Sequence, residues 1–67
     1  MRFGQVVRKH RLAAGLSQED LAARAGIHRN YAGEVERGQR NVALMNMMRI
    51  ARALKVSLTR LIEDAGL

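Results

Sequence analysis

Cysteine, proline and tryptophan are absent from this 67-residue chain, and one Phe and one Tyr are its only aromatic residues. Without cysteine there is neither a disulfide framework nor a Cys-based zinc site to staple a small fold. Without proline, and with no low-complexity tract, nothing marks a linker, so residues 1–67 are expected to form a single domain. No apolar run approaches the roughly 20 residues of a membrane-spanning helix, and the charged N-terminus lacks a signal-peptide core. The expectation is a soluble, cytoplasmic protein with no membrane partner. Acidic residues are also scarce: six Asp and Glu face twelve Lys and Arg, for a net charge of +6. That balance favours a polyanionic partner. Ten of the twelve basic residues are arginine, which forks onto phosphate and guanine better than lysine does.

Catalytic machinery is missing as well. There is no nucleophile–base pair, no phosphate-binding glycine loop and no carboxylate pair with a pocket to hold it, so an enzyme is not expected. His10 and His28 stand far apart without supporting carboxylates, and no metal site is expected from them. No cofactor or small-molecule ligand is implied. So short a chain buries only about 60% of its unfolded surface, which makes self-association the natural extra support.

What is present is organised around Ser17 to Gly38, SQEDLAARAGIHRNYAGEVERG. The Ser17 hydroxyl suits a helix N-cap, and Asp20 three residues later completes a capping-box pattern. Leu21, Ala22 and Ala25 recur at helical spacing. Gly26 ends that helix, because a left-handed residue closes the last turn and glycine adopts it without a steric penalty. Ile27 turns back to the core. His28 is expected to begin a second helix, with Ala32 and Val35 inward and Gly38 stopping it. Small residues, Ala22 and Ala32, let the two helices cross closely. The pattern is a helix-turn-helix whose second helix suits a DNA major groove.

Around it, a first helix is expected over about Arg2–Ala14, with Phe3, Val6, Val7 and His10 on one face and Gly15 closing it. Leu16 packs inward, and His10 reads as a core-edge residue. A fourth helix, about Ala43–Leu54, carries Leu44, Met47, Met48, Ile50, Ala51 and Leu54 in a broad apolar stripe. Ser57 caps a fifth, with Leu58, Leu61 and Ile62 inward. The tail from Glu63 to Leu67 is expected to fray, with Leu67 in reach of a partner subunit. No strand pattern occurs, so the fold class is all-α, five short helices in a compact domain.

SQEDLAARAG followed by ERGQRN closely resembles the Cro/C1-type (XRE) helix-turn-helix family of transcriptional regulators, over about Phe3 to Ile62. HRNY…ERGQRN is most similar to the controller proteins of restriction–modification systems. The resemblance implies a lambda-repressor-like DNA-binding domain. It implies a sequence-specific regulator, a restriction–modification controller or a phage or plasmid repressor, that binds palindromic operators on double-stranded DNA as a homodimer. By that resemblance Arg29, Asn30 and Glu34 match base readers, with Gly33 close by, and Arg11 pairs with Glu36 to fix the first helix on the third. The family usually has proline where Val42 stands and often glycine where Lys55 stands. A left-handed turn at Lys55 would then carry a small strain.

The outward residues of the second motif helix are His28, Arg29, Asn30, Gly33, Glu34 and Arg37. Arg29 suits the O6 and N7 of guanine, Asn30 the N6 and N7 of adenine, and Glu34 a cytosine amino group or a neighbouring arginine. A bare Gly33 would let the helix backbone approach the groove wall. Phosphate contacts are expected from Gln18, Tyr31, Arg37, Gln39, Arg40 and Asn41, joined by free amides at the start of the second helix. The apolar surplus of the last two helices points to a dimer seam near Leu44, Met45, Met48, Leu58 and Leu61. An alternative is an antitoxin or adaptor module whose main partner is a protein, although no separate binding arm is found. A basic membrane-active or nucleic-acid-condensing peptide would not need Gly26 or Gly38.

Overall fold

The computed structural model describes residues 2–66; Leu67, named above for a subunit contact, lies outside them. Five helices follow one another: α1 (Arg2–Ala13), α2 (Gln18–Ala25), α3 (Arg29–Glu36), α4 (Leu44–Ala53) and α5 (Leu58–Asp64). Among the described residues there is no strand. The domain measures 26 × 22 × 19 Å.

Local chemistry sets the helix ends. The Ser17 hydroxyl accepts the Asp20 amide at 3.0 Å, and the Asp20 carboxylate accepts the Ser17 amide at 3.0 Å. Both arms of the capping box are therefore made. Gly26 closes α2 at φ 70°. Lys55 sits at φ 59°, the one non-glycine residue with positive φ among those described. A side chain there costs steric energy that glycine would avoid. Ser57 caps α5 by accepting the Arg60 amide at 3.0 Å. His28 precedes α3 instead of beginning it: its Nδ1 accepts the Asn30 amide at 3.1 Å. An imidazole nitrogen here does the work usually done by a serine or aspartate oxygen.

The core gathers Phe3, Val7, Leu21, Val35, Ile50 and Leu61, each essentially shielded from water. α2 lies against α3 and α4, while α1 spans α3 and α5. Gly4 explains how closely α1 reaches α3. A Cβ there would overlap the carbonyl oxygen of Val35, so only a bare position allows this crossing. Two expectations change at the C-terminal end. Leu61 is fully buried in the core and is not available to a dimer seam. The tail is not frayed through Ala65, which is also fully buried and whose amide bonds to the Leu61 carbonyl at 3.0 Å. Ile62 is only half-buried.

α4 has two faces. Ile50, Ala51 and Ala53 are buried, whereas Leu44, Met45 and Met48 are 63%, 60% and 44% exposed. The apolar stripe expected of this helix thus divides into a core side and an outer side. Leu58 is half-buried and packs on the core, so it belongs mainly to the former.

Candidate nucleic-acid interface

α3 is anchored from below by an ion pair. Arg11 Nε donates to Glu36 Oε2 at 2.7 Å and Arg11 Nη2 to Glu36 Oε1 at 3.1 Å, a two-pronged grip. Arg11 Nη1 donates to the Leu16 carbonyl at 2.9 Å, and Gln18 Nε2 donates to Glu36 Oε1 at 3.2 Å. The two side chains are only 9% and 2% exposed. Charges this far from water persist only when paired and fully hydrogen-bonded. Here they are, and among the described residues no buried side-chain N or O lacks a partner. One contact thereby ties α1, the α1–α2 loop, α2 and the C-terminal turn of α3.

Above this anchor, Gln18, Arg29, Asn30, Gly33, Glu34 and Arg37 line a shallow open concavity of about 280 Å³. His28, Arg29, Asn30, Arg37, Gln39, Arg40 and Asn41 are exposed; Glu34 and Tyr31 are half-buried. α3 presents its polar face because Ala32 and Val35 are inward, and helical periodicity sends the intervening residues out. The capping box uses the Asp20 amide, which leaves the Gln18 and Glu19 amides at the head of α2. Helix N-terminal amides attract anions.

Two residues sit differently from expectation. Gly33 is not a bare patch of backbone. It is buried, and a Cβ on it would stand 3.0 Å from Arg37 Nη1 and 3.4 Å from Gln18 Oε1. The gap left by its missing side chain is filled by two long polar ones. Gln18 is half-buried with its amide nitrogen committed to Glu36, so its head is part of the anchor as well as the rim.

Every outward arginine of the α3 segment holds an oxygen. Arg29 Nη1 donates to Glu19 Oε1 at 2.6 Å, Arg40 Nε to Glu34 Oε1 at 3.0 Å, and Arg37 Nε to Gln39 Oε1 at 3.1 Å. The Arg40 guanidinium carbon also lies 6.0 Å from the centre of the Tyr31 ring, at the outer range of a cation–π contact. The Tyr31 hydroxyl accepts from Asn46 Nδ2 at 3.3 Å, which links α3 to α4. Glu19 and Asn46 escape a reading of the sequence. Their partners lie ten and fifteen residues away, and no local periodicity reports such pairs.

Elsewhere, His10 Nε2 meets Asp64 Oδ2 at 2.9 Å, joining α1 to α5. That contact, with Arg60 beside it, holds the Asp64 carboxyl below its ordinary value of 3.8; hydrogen bonding from Ser17, chiefly its backbone amide, does the same for the Asp20 carboxyl. Among the described residues no cluster of His, Asp and Glu could hold a metal ion, and no helix is long and apolar enough to cross a membrane.

Comparison with known proteins identifies the family and the fold. The family described as Helix-turn-helix matches residues 7–61. Control protein C.SmaI of Serratia marcescens is 46% identical over 61 residues, 91% of this chain and 73% of that one. Control protein C.BamHI of Bacillus amyloliquefaciens is 49% identical over 55 residues, 81% of this chain and 68% of that one. Among solved structures, the restriction-modification controller protein C.AhdI from Aeromonas hydrophila superposes with a TM-score of 0.88 at 52% identity. The superposition covers 90% of this chain and 91% of that one. SinR, a master regulator for biofilm formation solved in complex with DNA, superposes with a TM-score of 0.85 at 28% identity, over 90% of this chain and 97% of that one.

Proposed function

The chain belongs to the helix-turn-helix family, and on that premise we propose that it is a sequence-specific, double-stranded-DNA-binding transcriptional regulator of the restriction–modification controller kind. The observation that carries the reading is the concavity on α3, where Arg29, Asn30, Glu34 and Arg37 stand together beside the head of α2. A recognition helix uses its N-terminal outward residues on base edges. Arg29 forks onto the O6 and N7 of a guanine, and Asn30 onto the N6 and N7 of an adenine. Each such pair contributes roughly 1–3 kcal/mol of discrimination. Glu34 accepts from a cytosine amino group or steers Arg40, and His28 lies at the edge of the groove. Phosphates are met by the Gln18 and Glu19 amides, the Tyr31 hydroxyl, Arg37, Gln39, Arg40 and Asn41. These contacts set register and carry no direct sequence information.

One module offers little interface, so the operator is read by a homodimer. The exposed face of α4, Leu44, Met45 and Met48, is the seam. A protomer 26 Å in its longest dimension suits a pair that sets its recognition helices about 34 Å apart on a two-fold site. The resemblance to control proteins from restriction–modification systems supports a bacterial cytoplasm as the place of action.

The test is selection of bound duplexes from a random library. Enrichment of a palindrome with half-sites about one helical turn apart supports the reading. Recovery of nothing beyond salt-sensitive background refutes sequence-specific regulation and moves the function to a protein partner or to nonspecific binding.

A further inference from the structure

The Arg29–Glu19 contact uses only one corner of the guanidinium. Nη1 is taken by Glu19 at 2.6 Å, and the edge formed by Nε and Nη2 stays open. That is the edge with which Arg11 grips Glu36, and it presents the two parallel N–H donors that can fork onto a guanine. Glu19 itself occupies the second position of α2, whose N-terminus faces the backbone of bound DNA in the reading given above. We propose that Glu19 is a positioning residue that sets the specificity ratio. It holds Arg29 in a pose fit for a base and withholds it from phosphates. The inference rests on the DNA-reading assignment of α3.

The physics is a difference between two kinds of DNA. On any sequence, a nearby phosphate competes for Arg29. To take it, Arg29 must leave Glu19, and the abandoned carboxylate then faces the phosphate backbone, a repulsion that cancels much of the gain. On the operator, Arg29 forks onto guanine through its open edge while Nη1 stays on Glu19. Glu19 therefore weakens binding to random DNA and leaves operator binding nearly untouched. The Arg29 and Glu19 side chains are 61% and 69% exposed, so the exchange is rapid and its energy modest. Nothing in the fold depends on it.

The test uses Glu19→Gln in the full chain, with Glu63→Gln as a charge-matched control on α5, and two duplexes: the selected site and a scrambled one. Glu19→Gln is expected to bind the scrambled duplex about two- to fivefold more tightly, the range an exposed ion pair spans. Its log–log salt slope on that duplex should steepen by about one unit for each protomer bound, one extra phosphate contact apiece. Affinity for the selected duplex should change by less than about twofold, within the near-zero end of the exposed-pair range, so the ratio falls. In an Arg29→Ala background the same substitution should tighten both duplexes alike, by relieving the carboxylate's repulsion of phosphate, and leave their ratio unchanged, because Glu19 sets the ratio only through Arg29. Scrambled-duplex affinity and slope equal to those of Glu63→Gln would overturn the proposal. So would a loss of operator affinity with unchanged random binding, which would make Glu19 a direct support of the base contact. Should wild type select no site at all, the DNA-reading assignment fails and this inference with it, an outcome distinct from the other two.

Discussion

Two of the arginine–glutamate pairs at α3 differ in depth and in grip: one is buried and two-pronged, the other exposed and held by a single bond. Arg11–Glu36 lies beneath the helix with both side chains nearly inaccessible; Arg29–Glu19 lies at its outer start with both mostly exposed. Burial decides what the same chemistry does. Below, neither charge has another partner to turn to, so the pair is a strut, and it draws in the Leu16 carbonyl and Gln18. Above, water and phosphate compete at every moment, so the pair is a weak hold that a better ligand can take. A regulator of this size has a single small core, and it separates holding from reading by depth. The residues that fix α3 are covered, and those proposed to face DNA are loosely tethered.

The comparison can be broken most forcefully from below. Glu36→Ala leaves Arg11 as an uncompensated buried charge, a loss of about 3–5 kcal/mol. At ~4–8 °C per kcal/mol for a domain of this length, the melting temperature should fall by at least ~12 °C. A thermal melt showing a shift of a degree or two would place the pair in effective contact with water. Glu19→Ala, read in the same melt, should move the midpoint by only a few degrees, since exposed pairs contribute about 0–1 kcal/mol. Next in size is Gly4→Ala. Alanine normally improves a helix by about 1 kcal/mol over glycine. Here its methyl would meet the Val35 carbonyl, and overpacking of this kind costs typically about 1–3 kcal/mol. Net destabilisation by denaturant titration is the expected sign, and stabilisation would show that α1 and α3 are free to separate.

On the outer side the effects are smaller and appear in binding. Met45→Glu places a charge on the exposed face of α4. It should shift sedimentation toward monomer and weaken operator binding while leaving the melting curve of the monomer nearly unchanged. A dimer of undiminished strength would move the seam elsewhere. The smallest effect concerns acid. Asp20 and Asp64 are held below the usual carboxylate value of 3.8, so the unfolded chain binds more protons than the folded one in that range. Their contribution is complete above about pH 5 and is lost as pH falls through the lowered values. Asp64→Asn should flatten the stability profile below pH 4, and an unchanged slope would mean that His10 and Arg60 contribute nothing there.

Much of this was legible in the sequence where the cause is local. Ser17 with Asp20, Gly26 and Ser57 each act within four residues, and the helix boundaries followed from them. Periodicity found the core face of α1 and α2 for the same reason. It does not separate a core position from a second apolar face, so Leu61 reads both as inward and as near the seam, and its neighbours in fact enclose it completely. Glycine is also ambiguous in sequence. Gly4 carries no local signal although it is the contact that brings α1 to α3, whereas Gly33 stands out in a helix and is covered by Arg37 and Gln18. Pairs formed across the fold, Glu19 with Arg29, Asn46 with Tyr31 and His10 with Asp64, leave no periodic trace because their spacing is set by tertiary packing.

The most direct test of the division between holding and reading is one variant measured twice. Arg29→Ala removes the proposed reader and leaves the buried strut intact. The ratio of its dissociation constants for selected and scrambled duplexes should fall by about tenfold or more, one lost guanine fork in each half-site. Its melting temperature should stay within a few degrees of wild type. A ratio equal to that of wild type would contradict the assignment of α3 as the reading helix. A melting temperature lowered as far as that of Glu36→Ala would show that the outer pair holds the fold as well.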